Sequence, residues 1–450
     1  MSQDNEVTYK VKIKNIERAK NHNKVVERVA MIVREINVNG NVIEIPSPLS
    51  IYAIDMADRL NTQRAYANVF CGFLNYIQKQ VNDGNSKFDK VKLKGIYALT
   101  WEHACSYLKY CKNELHNSRD TVKYKMRFIK NLYKYLIEEG VLDKSVEIKM
   151  VSKYNYKLKR YTTSIANPFT KSSKYRVRLP DEVTEYSKEK LKDLDERLWL
   201  KLLSMCDDIC PEIKLGVYMQ IMGGLRMGEV VNLTINSLNI NKVYDNELEK
   251  ELTEITVDIR NRNNELFDRD VRLDSCQTKK ARYNQIILDP LFMLGELYEK
   301  HISEINKIKD KTKSKYKNAL FVNSKGQPMT GSNYSDRFYK LKKAFLEYLE
   351  QYSYADFNLL KNQKKWGTHI GRGIYTNFII HNDLATLPNG EVSSRLLADL
   401  RGDSSEDSAR DYIEKGTIIK NIRGKQKILY KKLKKIERGL EVYNEYSPDI

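Results

Sequence analysis

The sequence predicts a mainly α protein with a small antiparallel β-sheet, built as a helical unit followed by an α+β unit. Three observations carry this. Apolar residues recur at helical spacing from Asp58 onward, as in Tyr66, Val69, Phe70, Phe73, Leu74 and Ile77. Alternating runs are short and few, as in MIVREINVNGNVIEIP and LTEITVDI. A chain of 450 residues, 41% of them hydrophobic, exceeds one ordinary core and suffices for two or three.

Along the chain, residues 1–48 form an extension in which two alternating runs flank Asn39-Gly40, a favoured hairpin turn. Residues 49–145 read as a helical bundle. One helix follows Asp58, a second starts after Thr100, and a third covers about Ser118 to Glu139 and stops at Gly140, a residue suited to the left-handed C-terminal position. The third helix has two faces. Val122, Met126, Ile129, Tyr133 and Leu136 make an apolar stripe, while Lys123, Arg127, Lys130 and Lys134 recur at spacings of four, three and four. A solvated lysine face and a phosphate-tracking face both fit that pattern.

Residues 146–182 read as a basic linker: between Lys149 and Pro180 there are nine basic residues and no acidic one. Helical periodicity resumes in SKEKLKDLDERLWLKLLSMC and PEIKLGVYMQIMGG, so the second unit is placed at 183–415, with LTEITVDI and FDRDVRLDSCQTKKARYNQIILD as its strands. In the latter, the polar stretch Thr278 to Asn284 is expected at the turn before IIL. Residues 416–450 form a basic helical tail.

Lys and Arg number 78 against 59 acids, a formal charge of +19, which favours a polyanionic partner, nucleic acid ahead of an anionic membrane surface. An AT-rich coding bias would raise Lys, Asn, Ile and Tyr together, so charge alone names no partner. No run approaches the roughly 18 to 20 apolar residues of a membrane span, and MSQDNEVTYK lacks a signal-peptide apolar stretch. A cytoplasmic location is expected. The six cysteines (71, 105, 111, 206, 210, 276) sit mostly among apolar residues; Cys206 and Cys210 can share a helical face, but no second pair follows at zinc spacing. No metal or cofactor is expected.

Three segments carry candidate chemistry. In QIMGGLRMGEVVNLTINSL, two glycines allow a tight turn, after which Arg226 and Glu229 lie three residues apart on a helix and so share a face. In WGTHIGRGIYTNF, His369 and Arg372 have the same separation and can address one anion. In LLADLRGDSSEDSARDYIE, Tyr412 follows Asp403 by nine residues.

Together these segments resemble the tyrosine recombinases, the lambda-integrase family. That family shows Gly-Leu-Arg-x-x-Glu with a Leu four residues on, matched by Gly224, Leu225, Arg226, Glu229 and Leu233; His-x-x-Arg, matched by His369 and Arg372; and Leu-Gly-His-Ser-Ser followed by Tyr, matched by Gly402, Ser404, Ser405 and Tyr412. Asp403 stands where the family has His or Trp. A carboxylate there repels a developing phosphorane, so Asp403 points away, orients a neighbouring base or marks impaired chemistry. The resemblance covers about residues 50 to 415 and implies a helical core DNA-binding domain plus an α+β catalytic domain.

By that resemblance a lysine on a strand turn reaches the active site, and counting back from Leu288 selects Lys279, with Lys280 as second choice. Tyr412 is then the nucleophile, Arg226 and Arg372 stabilise charge on the scissile phosphate, Lys279 protonates the leaving 5′ oxygen, and His369 assists. The resemblance also implies double-stranded DNA as partner, a tetramer on two duplexes, and an accessory excision factor where the chain belongs to a mobile element. A type IB topoisomerase-like enzyme and a silent DNA-binding relative remain the alternatives.

Overall fold

Alternation of apolar residues with lysines over VTYKVKIK gives a strand one apolar face, and that face needs cover. A computed structural model supplies it. The structure describes residues 7–20, 23–38, 40–142, 146, 149–155, 160–170, 173–181, 189–246, 249–278, 280–386, 392–402, 429–436 and 438. The chain divides into two compact units, Met1–Ser187 and Lys188–Ile450.

In the first unit, β1 (Val7–Lys20), β2 (Asn23–Val38) and β3 (Asn41–Pro46) form an antiparallel sheet in that order. The expected hairpin about Gly40 is therefore β2–β3, with Gly40 at φ 83°, and the long strand β1, outside the two expected runs, completes the sheet. Val29, Ala30, Ile32 and Val33 of β2 are buried. The sheet packs on α1 (Leu49–Asp55) and α2 (Leu60–Asn82). Asn75 of α2 accepts from Tyr9 N at 2.7 Å and donates to Tyr9 O at 3.0 Å, pairing backbone groups on the outer edge of β1.

A short α3 (Asp89–Lys94) precedes α4 (Trp101–Asn113) and α5 (Arg119–Glu138). The predicted ends hold: the Ser118 hydroxyl caps α5 by accepting from Thr121 N, and Gly140 has φ 67°. All five stripe residues of α5 are buried, Tyr133 stacking on Trp101 at 4.5 Å between ring centres. On the basic face, Lys123 and Arg127 are exposed. Lys130 is half-buried and donates to Ile165 O at 3.3 Å, and Lys134 pairs with Glu138 at 3.4 Å. Within the basic stretch after α5, β4 (Met150–Asn155) pairs antiparallel with β5 (Arg160–Ile165).

The second unit begins with β6 (Glu189–Lys190), then α6 (Glu196–Ser204) capped by Asp195, and α7 (Cys206–Ile209). Next come α8 (Lys214–Gly223), the single turn α9 (Met227–Val230), β7 (Leu238–Asp245), β8 (Lys250–Ile259), α10 (Asn263–Leu266) and β9 (Arg282–Ile287). Strands β7, β8 and β9 form the antiparallel sheet. Two expectations are corrected here. Residues from Phe267 to Gln277 are not a strand, because Arg272 folds back on Asp270 and Asn232 Nδ2 donates to Cys276 O, holding the segment in turns. Arg282 to Asn284 belong to β9 instead of the turn.

After the sheet follow α11 (Leu294–Lys311), α12 (Gly331–Tyr352), α13 (Tyr354–Asn358), β10 (Lys364–Lys365), which pairs with β6, α14 (Ile370–His381) and α15 (Ser394–Arg401). Helix α8 is the axis of this unit: every residue from Leu215 to Gly223 is buried, with α14 and β9 packed on it. Residues 429–436 are helical, and Leu429 and Leu433 join the same core. All six cysteines are buried thiols. Among the described residues no helix is long and apolar enough to cross a membrane.

Candidate active site

The site begins where α8 ends. Gly224 has φ 64°, and a Cβ there would lie 2.5 Å from Cδ1 of Tyr375, so both conformation and packing demand glycine. Leu225 enters the core and Arg226 leaves it in an extended conformation (φ −81°, ψ 153°) as the N-cap of α9. Glu229 closes the turn: its Oε2 accepts from Arg226 N at 2.8 Å and its Oε1 from the Arg226 guanidinium at 3.0 Å. One carboxylate thus caps the helix and clamps the side chain. Glu229 is fully buried, while the Arg226 side chain remains 25% exposed.

Glu229 has a second partner that sequence reasoning missed. Arg282, the first residue of β9, donates from Nη2 to Oε2 at 2.9 Å and from Nη1 to Oε1 at 3.2 Å, a two-pronged contact. Burial pushes the Arg282 guanidinium below its ordinary pKa, and Glu229 opposes that shift. The available signal was a third cation in Lys279–Arg282, but strand register decides which of these turns inward; Arg282 is paired with Ile259 beside an irregularity in β8.

Arg372 arrives from the far end of the chain. It is buried and donates from Nη1 to Gly224 O at 2.6 Å, which brings it to the turn that presents Arg226. Two glycines seat it. A Cβ at Gly371 would lie 2.8 Å from Cβ of Gln220 on α8, and one at Gly373 would overlap Lys192 O. His369 is the residue before α14, exposed and one turn from Arg372. Three guanidiniums and one carboxylate make this neighbourhood cationic, suited to a phosphate.

The end of α15 is held to the same cluster. Leu400 O accepts from Gln285 Nε2 at 2.7 Å and from Tyr375 OH at 3.1 Å, and Gly402 O accepts from Arg282 Nη1 at 3.4 Å. Gly402 itself has φ 62°.

Of the sequence-predicted residues, Arg226, Glu229 and Arg372 come together, with His369 beside Arg372. Lys280 is exposed just before β9. Lys279, Asp403 and Tyr412 lie outside the described residues. The α5 cations Lys123, Arg127, Lys130 and Lys134 belong to the first unit. Among the described residues no group of His, Cys, Asp or Glu is arranged to hold a metal ion.

No protein-family model matches the chain. No curated protein matches it either. Among solved structures it is similar to XerH site-specific recombinase bound to difH substrate, at 15% identity and TM-score 0.46, covering 82% of this chain and 82% of that one. It is also similar to a lambda integrase (75–356) dimer bound to a COC′ core site, at 12% identity and TM-score 0.41, covering 81% of this chain and 93% of that one. For XerA recombinase the values are 13% identity and TM-score 0.30, covering 82% of this chain and 96% of that one.

Proposed function

We propose that the chain is a site-specific DNA recombinase of the tyrosine type, the integrase or transposase of a mobile element, acting in the cytoplasm as a tetramer on two duplexes. One observation supports the reading: Arg372 donates to the Gly224 carbonyl on the turn that presents Arg226, which brings the two arginines of the sequence motifs to one turn.

In this reading the two guanidiniums bind the non-bridging oxygens of a scissile phosphate and stabilise the charge that grows as the phosphorane forms. The Tyr412 hydroxyl attacks phosphorus, the bond to the 5′ oxygen breaks, and Lys279 gives that oxygen its proton. His369 hydrogen-bonds a non-bridging oxygen or takes the tyrosine proton. The product is a 3′-phosphotyrosine ester, which conserves the bond energy, so a 5′ hydroxyl from a partner strand reverses the step without ATP. Glu229 holds Arg226 in place. The exposed cations Lys123 and Arg127 contact the DNA backbone, with Lys130, Lys134 and Lys280 as weaker contributors. An accessory excision factor would set direction.

The test is trapping on nicked suicide duplexes that tile the DNA flanking the gene. Wild type should form a covalent adduct, Tyr412→Phe none, and Arg226→Ala should slow adduct formation by about 100-fold or more while largely keeping DNA affinity. Tight binding with no adduct on any duplex would instead mark a silent DNA-binding protein, the outcome Asp403 favours. Relaxation of a supercoiled plasmid without strand exchange would mark a topoisomerase-like enzyme.

A further inference from the structure

We propose that Arg282 is a positioning residue for the reaction above: it ties the carboxylate that holds Arg226 to the end of α15, and so sets where the chain leading to Tyr412 leaves the fold. The inference rests on the recombinase reading for its catalytic consequence, but the mechanical link stands on geometry.

That link has two parts. On one side, the Arg282 fork engages both oxygens of Glu229, which is fully buried and also holds Arg226. On the other, Arg282 lies directly against Gly402: a Cβ at that glycine would sit 2.5 Å from Nε and 2.8 Å from Cζ. Nη1 also donates to Gly402 O at 3.4 Å. Its side chain is 11% exposed, so water does not substitute for either contact at low cost.

Capping alone does not call for this arginine. The last turn of α15 already has neutral donors, Gln285 and Tyr375, on Leu400 O. A cation near a helix C-terminus is favoured by the helix dipole, but placing a desolvated guanidinium there and sharing it with Glu229 couples two elements that the neutral donors leave independent. The planar fork has few ways to keep two partners if one shifts, so displacement of α15 is felt at Glu229 and the reverse.

The experiment compares wild type, Arg282→Gln and Arg282→Lys in the full-length protein. Three quantities are measured on the nicked duplex giving most wild-type adduct: duplex affinity, the rate of adduct formation, and amide hydrogen exchange across residues 394–402. Arg282→Gln should slow adduct formation by about 100-fold, as a misplacement on the order of an ångström does, with affinity changed far less. Arg282→Lys keeps a charge for Glu229 but cannot span to Gly402, so about a 10-fold loss is expected, on the same scale. Exchange across α15 should quicken in both, with the β7–β8 sheet unchanged.

Wild-type adduct rates in Arg282→Gln would overturn the proposal, as would affinity falling as far as rate, or unchanged exchange across α15. If Arg282→Gln fails to fold, Arg282→Lys carries the same three comparisons. Should wild type form no adduct on any duplex, the recombinase reading fails and the exchange measurement, made on free protein, still decides the link to α15.

Discussion

Two carboxylates, Glu35 on β2 and Glu229 on α9, each meet two cationic side chains and hold them in different ways. Glu35 receives Lys10 at 2.6 Å and Lys12 at 3.0 Å, on lysine side chains 58% and 33% exposed. Hydrogen bonds from Lys10 and then Lys12 hold its carboxyl below the usual range. Glu229 receives Arg226 at 3.0 Å and Arg282 at 2.9 Å from a position with no exposure at all. Lysines on flexible stems beside solvent can trade the carboxylate for water, so the sheet contact is a soft electrostatic one. The Arg282 fork, 11% exposed and bonded to both oxygens, cannot make that trade, so the same count of charges becomes a geometric constraint on the carboxylate that also holds Arg226. That constraint is what a phosphate site needs, because its donors must stand in place before charge develops.

The sharpest test of this contrast is Glu229→Gln. Removing the shared charge leaves two guanidiniums facing a neutral amide in the interior, and the second unit should lose about 3–5 kcal/mol in urea unfolding. The three tryptophans allow the units to be followed apart: in a Trp101→Phe background, Trp199 and Trp366 report only on the second unit. A loss below about 1 kcal/mol, the ceiling for a surface pair, would break the comparison.

Acid should act on the second unit through a buried histidine. Burial holds His301 neutral, its pKa brought down to about 4 from 6.5, with its Nε2 bonded to Leu320 O at 2.9 Å. Since the unfolded chain protonates first, its contribution is complete above pH 6.5 and is lost as pH falls toward 4. The size is on the order of 3 kcal/mol. A stability profile of the second unit over that window should flatten in His301→Phe, even though the baseline drops; an unchanged slope would assign the effect elsewhere.

Gly373→Ala comes next, at about 1–3 kcal/mol, because the added methyl meets the Lys192 carbonyl and Arg372 must shift to relieve it. Adduct formation should fall with stability. Glu35→Gln should have the smallest effect, a shift in the first unit's unfolding midpoint that shrinks further in high salt. Equal midpoint losses for Glu35→Gln and Glu229→Gln would erase the distinction between the two sites.

The elements legible in the sequence are those with local causes. Helix α5 was expected over about Ser118 to Glu139 and runs from Arg119 to Glu138, since its cap, its apolar stripe and its terminal glycine are all near neighbours in the chain. The Arg226–Glu229 pair was legible for the same reason, although the arginine proves to cap a single turn and does not lie inside a helix. Strand β1 was not recognised: the backbone groups of its outer edge find partners only in the packed chain, Tyr9 N and O with the Asn75 amide of α2. Likewise the segment before β9 looked like a strand by composition, and its turns come from side chains bonding back to the chain, as Arg272 does to Asp270.

By itself, then, the sequence determined which residue types stand at which local spacing: an arginine with its glutamate, a histidine one turn from an arginine, glycines where the backbone must turn left. Tertiary structure alone decided that Arg282 should face Glu229, that Arg372 should reach the Gly224 carbonyl, and that Gly402 should rest on a guanidinium. The physical reason is the same in each case. A buried charge or carbonyl must find a partner, and which partner is within reach depends on strand register and helix crossing, properties of the packed chain that no short stretch of it contains.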